Sequence, residues 1–119
     1  MKLTDKKEAR KTTAEDYGRV AVSWDRYWVP AYALARDRLL EFARLNQAER
    51  VLDIGTGTGA TAVVAAITVG EKGSVLAVDN SKGMLAVAKR KARKLHLNNI
   101  RFNLLASPLS NYQKNPSTL

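Results

Sequence analysis

A short apolar run, Val51-Leu52-Asp53-Ile54, passes directly into Gly55-Thr56-Gly57-Thr58-Gly59 and then into the small apolar residues Ala60 to Val69. An apolar run of this length bounded by glycine reads as a buried strand. The small side chains that follow suit a helix lying close against a sheet. Glycines between the two leave the backbone open to a ligand, and the helix start offers amide donors. Strand, glycine turn and helix in immediate succession predict the first half of a βαβ unit with a ligand at its turn.

The downstream sequence completes that unit. Gly70-Glu71-Lys72-Gly73 is a turn, and Ser74 to Val78 is a second apolar strand ending at Asp79. Asn80 or Ser81 caps a further helix, whose apolar positions Met84, Leu85, Ala88, Ala92 and Leu95 leave its basic residues on the opposite side. Asn98-Asn99 turns the chain into a third strand, Ile100 to Leu105. This order of strands and helices predicts parallel strands joined by right-handed crossovers in an open α/β sheet.

Upstream of the unit the chain reads as helical. Residues 1–12 hold almost no large apolar side chains and are expected to form a solvated arm. Thr13, followed by Ala14-Glu15-Asp16, marks a helix start with acids near the positive end of the dipole, and that helix runs to about Ser23. The aromatics Trp24, Tyr27 and Trp28 come next. Pro30 opens another helix, where its missing N–H costs nothing, and Tyr32, Ala35, Leu39 and Phe42 predict one buried face through about Leu45. The organisation is thus an arm over 1–12, N-terminal helices over 13–46, an α/β unit over 47–106 and an irregular tail over 107–119.

A chain of 119 residues has room for one domain. It has no cysteine and a single histidine, His96, which excludes disulfides and thiol nucleophiles and leaves no expected metal site. His96, at a helix end, reads as a cap or surface residue. The first residues are polar, and the longest apolar stretch is shorter than the roughly 18 residues of a membrane span. A cytoplasmic location is expected. The formal charge of +9 raises the question of acidic partners. Residues 51–119 carry nine basic and three acidic side chains, with the excess in Lys89-Arg90-Lys91-Ala92-Arg93-Lys94. That run has two explanations, a solvated face whose cations complement the helix dipole or a nucleic-acid footprint, and the solvated face is the expectation here.

Asp79 follows Gly59 by 20 positions, close to the separation of about 20 residues at which an acid reaches the ribose hydroxyls of a bound nucleotide. With these residues in place, Val51 to Gly59 resembles the first motif of class I S-adenosylmethionine-dependent methyltransferases. Val75 to Asp79, with Ser81 and Met84-Leu85, resembles the second. Tyr17 to Leu45 is similar to the lead-in of the small-molecule branch that includes ubiquinone and menaquinone methyltransferases. The resemblance covers about residues 15–106 and implies a Rossmann-like fold with S-adenosylmethionine as cofactor. It implies that Gly55, Gly57 and Gly59, with Thr56 among them, line the methionine portion, and that Asp53 holds the amino group directly or through water. Asp79 would take the ribose hydroxyls, and Asn80 and Met84 would flank the adenine. Tyr17 is a candidate for the cofactor carboxylate, and Trp24, Tyr27 and Trp28 for a lid, or else for a cover on the sheet edge. The acceptor is expected to be a small molecule, with no catalytic base nominated, because transfer from a sulfonium mainly requires alignment.

Gly55, Gly57 and Ala60 also satisfy the dinucleotide pattern, so a nicotinamide dinucleotide is the competing ligand. A carboxylate at Asp53 opposes a pyrophosphate and favours a sulfonium with its ammonium group. Two departures from the family stand out. Ala106 occupies the place of an acid that contacts the adenine amino group, and nothing in Pro108 to Leu119 builds the further strands of the full fold. The expectation is therefore a cofactor-binding half alone, a partial three-stranded parallel sheet with Val51–Ile54 as an exposed edge. Such an edge invites pairing with a second copy or a complementary chain. A non-catalytic interaction module is the alternative of a different class.

Overall fold

The computed structural model describes residues 14–105. The expected arm 1–12, the helix start at Thr13, Ala106 and the tail 107–119 lie outside the described residues. In chain order the elements are α1 (14–23), a π-helical turn (Trp24–Trp28), α2 (Val29–Ala31), α3 (Ala33–Ala43), β1 (Arg50–Ile54), α4 (Ala60–Val69), β2 (Ser74–Asp79), α5 (Lys82–Lys94) and β3 (Ile100–Leu104). The strands form one parallel sheet in the order β1-β2-β3. The third strand stops one residue short of Leu105, whose N–H still donates to the Asp79 carbonyl at 2.8 Å.

Both crossovers advance in the same direction across the sheet, which puts α4 and α5 on one face. There Ala62, Ala65, Ala66 and Val69 of α4 bury against Val75 and Ala77 of β2, with Val51, Ile100 and Phe102 packed at the margin. Small residues on both sides let helix and sheet approach closely. The opposite face is open: Leu52 is 58% and Ile54 71% exposed, and Leu76 is exposed beside them. The expectation of a strand buried on both faces therefore fails for β1. Its residues alternate between half-buried and exposed because it lies at an edge and only one face meets a helix.

The N-terminal helices differ from expectation in two ways. Helix continues through the aromatics as a π turn, in which the Val29 N–H donates to the carbonyl of Trp24 five residues back. Pro30 explains the widening, since it has no N–H for the carbonyl four residues earlier and its ring excludes that group. The second difference is the face of α3. Tyr32, Ala35, Leu39 and Phe42 are all exposed, Phe42 at 85%, whereas Leu40 and Leu45 pack against the core. An apolar period says that a face can be buried; α3 and the turn after it meet the core through Leu40 and Leu45, which leaves the other positions facing outward. Arg44, in left-handed backbone, ends the helix.

Candidate functional site

The carboxyl ends of β1 and β2 open into a cavity of about 390 Å³, within the size range of small-molecule sites. Its floor is the glycine turn, Gly55 to Thr58. Asp79, Asn80 and Met84 form one wall, and Tyr17, Trp24, Tyr32 and Arg36 of the N-terminal helices form the other.

The turn is held by backbone bonds that leave its outer surface open. The N–H groups of Gly55 and Thr56 both donate to the Val78 carbonyl, at 2.8 and 2.9 Å. The Gly57 N–H donates to Oδ2 of Asp79 at 2.9 Å, and the Ser81 N–H donates to Oδ1 at the same distance. One carboxylate thereby joins the glycine turn to the start of α5. Each oxygen keeps capacity for a further donor, because an ionised carboxyl offers about four lone-pair sites. Ser81, rather than Asn80, is the helix cap, its hydroxyl accepting from the Met84 N–H at 3.2 Å. Gly57 has φ +58°, and a Cβ at Gly55 or Gly57 would meet nothing within 4 Å. The two glycines front open space of the kind a ligand fills.

Asp53 and Gly59 stand behind the cavity lining. Asp53 is absent from the cavity lining, and its Oδ2 accepts from the hydroxyl of Thr56, which does line it, at 2.8 Å. Burial pushes the Asp53 carboxyl above its ordinary range; the Thr56 hydrogen bond works against this, and the negative charge of Asp79 adds to it. Gly59 is not in the lining either. A Cβ there, at φ +80°, would stand 2.9 Å from the Cβ of Ala88 and 3.6 Å from the Phe102 ring. This glycine lets the turn sit closely on α5.

Sequence reasoning passed over Thr58 and Arg36, which line the cavity, and the glycine pair Gly18 and Gly83, which lies outside it. Thr58 is 2% exposed, lines the cavity, and its Oγ1 has no hydrogen-bond partner, an arrangement that normally costs about 1–3 kcal/mol unless a ligand supplies one. Arg36 brings a cation to the wall from the polar side of α3. Gly18 and Gly83 let α1 cross the first turn of α5 backbone to backbone; a Cβ on Gly83 would stand 2.6 Å from the Gly18 carbonyl oxygen. That crossing carries Tyr17 to the cavity. The alternation of Thr with Gly was a signal for Thr58, but no local signal marks the crossing.

The aromatics divide. Trp24 lines the cavity and takes the edge of Tyr17, with centroids 5.8 Å apart at 81°. Trp28 stacks behind it at 5.9 Å, Tyr32 follows at 6.3 Å, and Tyr27 is exposed under the Arg26 guanidinium. The π turn sets this ladder, with Trp24, Trp28 and Tyr32 four residues apart. His96 is exposed in left-handed backbone just beyond α5, as its position at a helix end suggested.

Two ligand classes fit a glycine turn, and the hydrogen bonds distinguish them. A pyrophosphate needs the turn's N–H groups, yet that of Gly57 already donates to Asp79, and the Gly59 N–H is taken by the Thr56 carbonyl at 2.9 Å. Two carboxylates beside the turn favour a cation instead. Residues 17–107 match the family described as Protein-L-isoaspartate(D-aspartate) O-methyltransferase (PCMT). The chain belongs to that family.

Individual relatives extend the comparison. The chain is 41% identical over 63 residues to a protein-L-isoaspartate O-methyltransferase of Thermotoga maritima, covering 53% of this chain and 20% of that one. It is 33% identical over 91 residues to the aklanonic acid methyltransferase DauC of a Streptomyces species, covering 76% of this chain and 41% of DauC. A solved S-adenosylmethionine-dependent methyltransferase from Aquifex aeolicus superposes with a TM-score of 0.54 at 34% identity, over 60% of this chain and 38% of that one. The chain thus spans well under half the length of each. The fold is the amino-terminal part of a class I methyltransferase, and the Aquifex aeolicus protein it superposes on is an S-adenosylmethionine-dependent enzyme. Its relatives include enzymes of protein and of small-molecule acceptors, so the likeness extends beyond the small-molecule branch. Among the described residues no helix is long and apolar enough to cross a membrane.

Proposed function

We propose that the cavity binds S-adenosylmethionine as the donor site of a methyltransferase whose acceptor is a small molecule. The observation that carries this is Asp79, whose carboxylate lies at the cavity wall, bonded to the Gly57 amide, with lone pairs left for a vicinal diol. The open fronts of Gly55 and Gly57 suit the methionine portion. Thr56 lies between the cavity and Asp53, so that the negative charge of Asp53 favours the ammonium end through Thr56 or a water. Asn80 and Met84 flank the adenine. The Thr58 hydroxyl donates to the amino-acid end, and Arg36 attracts its carboxylate. The bound cofactor supplies an electrophilic methyl on sulfur; the residues of this chain hold it in one orientation while the stacked aromatics exclude water from one side. A cytoplasmic location belongs to the same proposal, since that is where a nucleoside cofactor of metabolism is at hand.

Calorimetric titration with S-adenosylmethionine, S-adenosylhomocysteine and NAD tests the reading. Binding of the first two but not the third is expected, lost in both Asp79→Ala and Gly57→Val. Silence of the wild-type chain towards all three overturns it. One observation favours a second role beside the first: Leu52, Ile54 and Leu76 form an apolar face next to β1, whose outer edge is unpaired among the described residues. We propose that further polypeptide, or a second copy, extends the sheet there, a non-catalytic interaction that does not need the cofactor. Light scattering that finds a monomer at high concentration refutes pairing between copies.

A further inference from the structure

The outer face of α5 belongs neither to the core nor to the cavity. Its 13 residues hold Lys82, Lys89, Arg90, Lys91, Arg93 and Lys94 and no acid. Among the described residues the ion pair found on this helix is Lys91 with Asp25, at 2.5 Å, and the other five cations are exposed. Lys82, Lys89 and Arg93 follow one another along the exposed stripe over about 16 Å, at 1.5 Å of rise per residue. Arg90 and Lys94 flank the stripe and, with Lys91 and Asp25, rim a groove of about 280 Å³ floored by Val22 and Val87.

Dipole complementation accounts for only part of this charge. Lys91, Arg93 and Lys94 stand in the last turn, where cations are favoured. Lys89 and Arg90 precede that turn, and Lys82 stands at the amino end, where a cation is disfavoured. Lys89 with Arg93, and Arg90 with Lys94, are like charges four residues apart, which repel on a helix. Among the described residues Asp25 relieves Lys91 alone, and a face that keeps the repulsion among Lys89, Arg90, Arg93 and Lys94 is matched to an external polyanion. We propose that the outer face of α5 binds the phosphodiester backbone of a nucleic acid. A lipid surface fits less well, because the larger apolar residues of this helix, Met84 and Leu85, are buried, which leaves only Ala86 and the half-buried Val87 to meet a bilayer. The stripe begins at Lys82, beside the cavity residues Asn80 and Met84, so a strand along it passes the mouth of the site. The face stands on its own charges, whether or not the cavity binds a cofactor.

The test is fluorescence anisotropy with short labelled RNA and DNA oligonucleotides, single-stranded and duplex, between about 50 and 200 mM salt. Binding should weaken linearly in log–log form, and Lys89→Gln with Arg93→Gln should lower the slope by about 1.5, the sum for two phosphates at roughly 0.7–0.9 each. The same double variant should melt at or above the temperature of the wild type, because repulsion is removed and no partner is lost. Absence of oligonucleotide binding at low salt, or a slope that the variant leaves unchanged, overturns the proposal. So does equal or tighter binding of polyglutamate or of anionic vesicles. A lower melting temperature in the double variant would mean that these cations serve the helix itself, and would likewise overturn it.

Discussion

Gly59 and Gly57 share a motif and a left-handed backbone, at φ +80° and +58°, yet their surroundings predict different consequences for the same substitution. An alanine in left-handed backbone costs about 1–2 kcal/mol at either position. At Gly57 the new methyl meets nothing within 4 Å, so the loss should stop there. At Gly59 it would lie 2.9 Å from the Ala88 Cβ, which has no rotamer by which to retreat, and overpacking of this kind adds about 1–3 kcal/mol. Gly59→Ala should therefore lose about 2–5 kcal/mol, a large part of the roughly 5–15 kcal/mol that keeps a domain folded. Urea unfolding followed by far-ultraviolet circular dichroism measures both variants. Adding Ala88→Gly to Gly59→Ala removes the opposing methyl and should recover the packing part, less about 1 kcal/mol for glycine inside a helix. If Gly59→Ala were no more disruptive than Gly57→Ala, or if Ala88→Gly gave no coupling, the packing role of Gly59 would be refuted.

Thr58→Val replaces an unpartnered buried hydroxyl with a methyl of similar shape, so the empty protein should gain about 1 kcal/mol in urea unfolding while affinity for S-adenosylhomocysteine falls; loss of stability would show that the hydroxyl is already bonded. Asp53 predicts a pH effect, its ordinary value of 3.8 being raised in the folded chain. Its contribution to stability is fully present below pH 3.8 and is lost as pH rises through the raised value, so Asp53→Asn should stabilise the protein at neutral pH. The ligand should show the opposite trend, since a cation prefers the ionised carboxyl. Affinity for S-adenosylhomocysteine should drop as pH falls through that raised value, and calorimetry in Asp53→Asn should show the drop gone.

The βαβ order, the helix over Ala60–Val69 and the pairing of a glycine turn with Asp79 were legible in the sequence. Each depends on a local period or on the spacing within one strand–helix–strand unit, and parallel pairing then brings the strand ends together without further information. Which glycine fronts open space and which faces a helix was not legible, nor was the exposure of the apolar positions on α3. Those outcomes are set by partners more than 20 residues away, Ala88 for Gly59 and the buried residues of α4 and β2 for Leu40, that no short window along the chain contains. Thr58 and Arg36 came to line the cavity for the same reason, and Gly18 and Gly83 meet behind it to bring α1 there. A sequence fixes backbone preference residue by residue, whereas the face a side chain finally presents is decided by what close packing leaves opposite it.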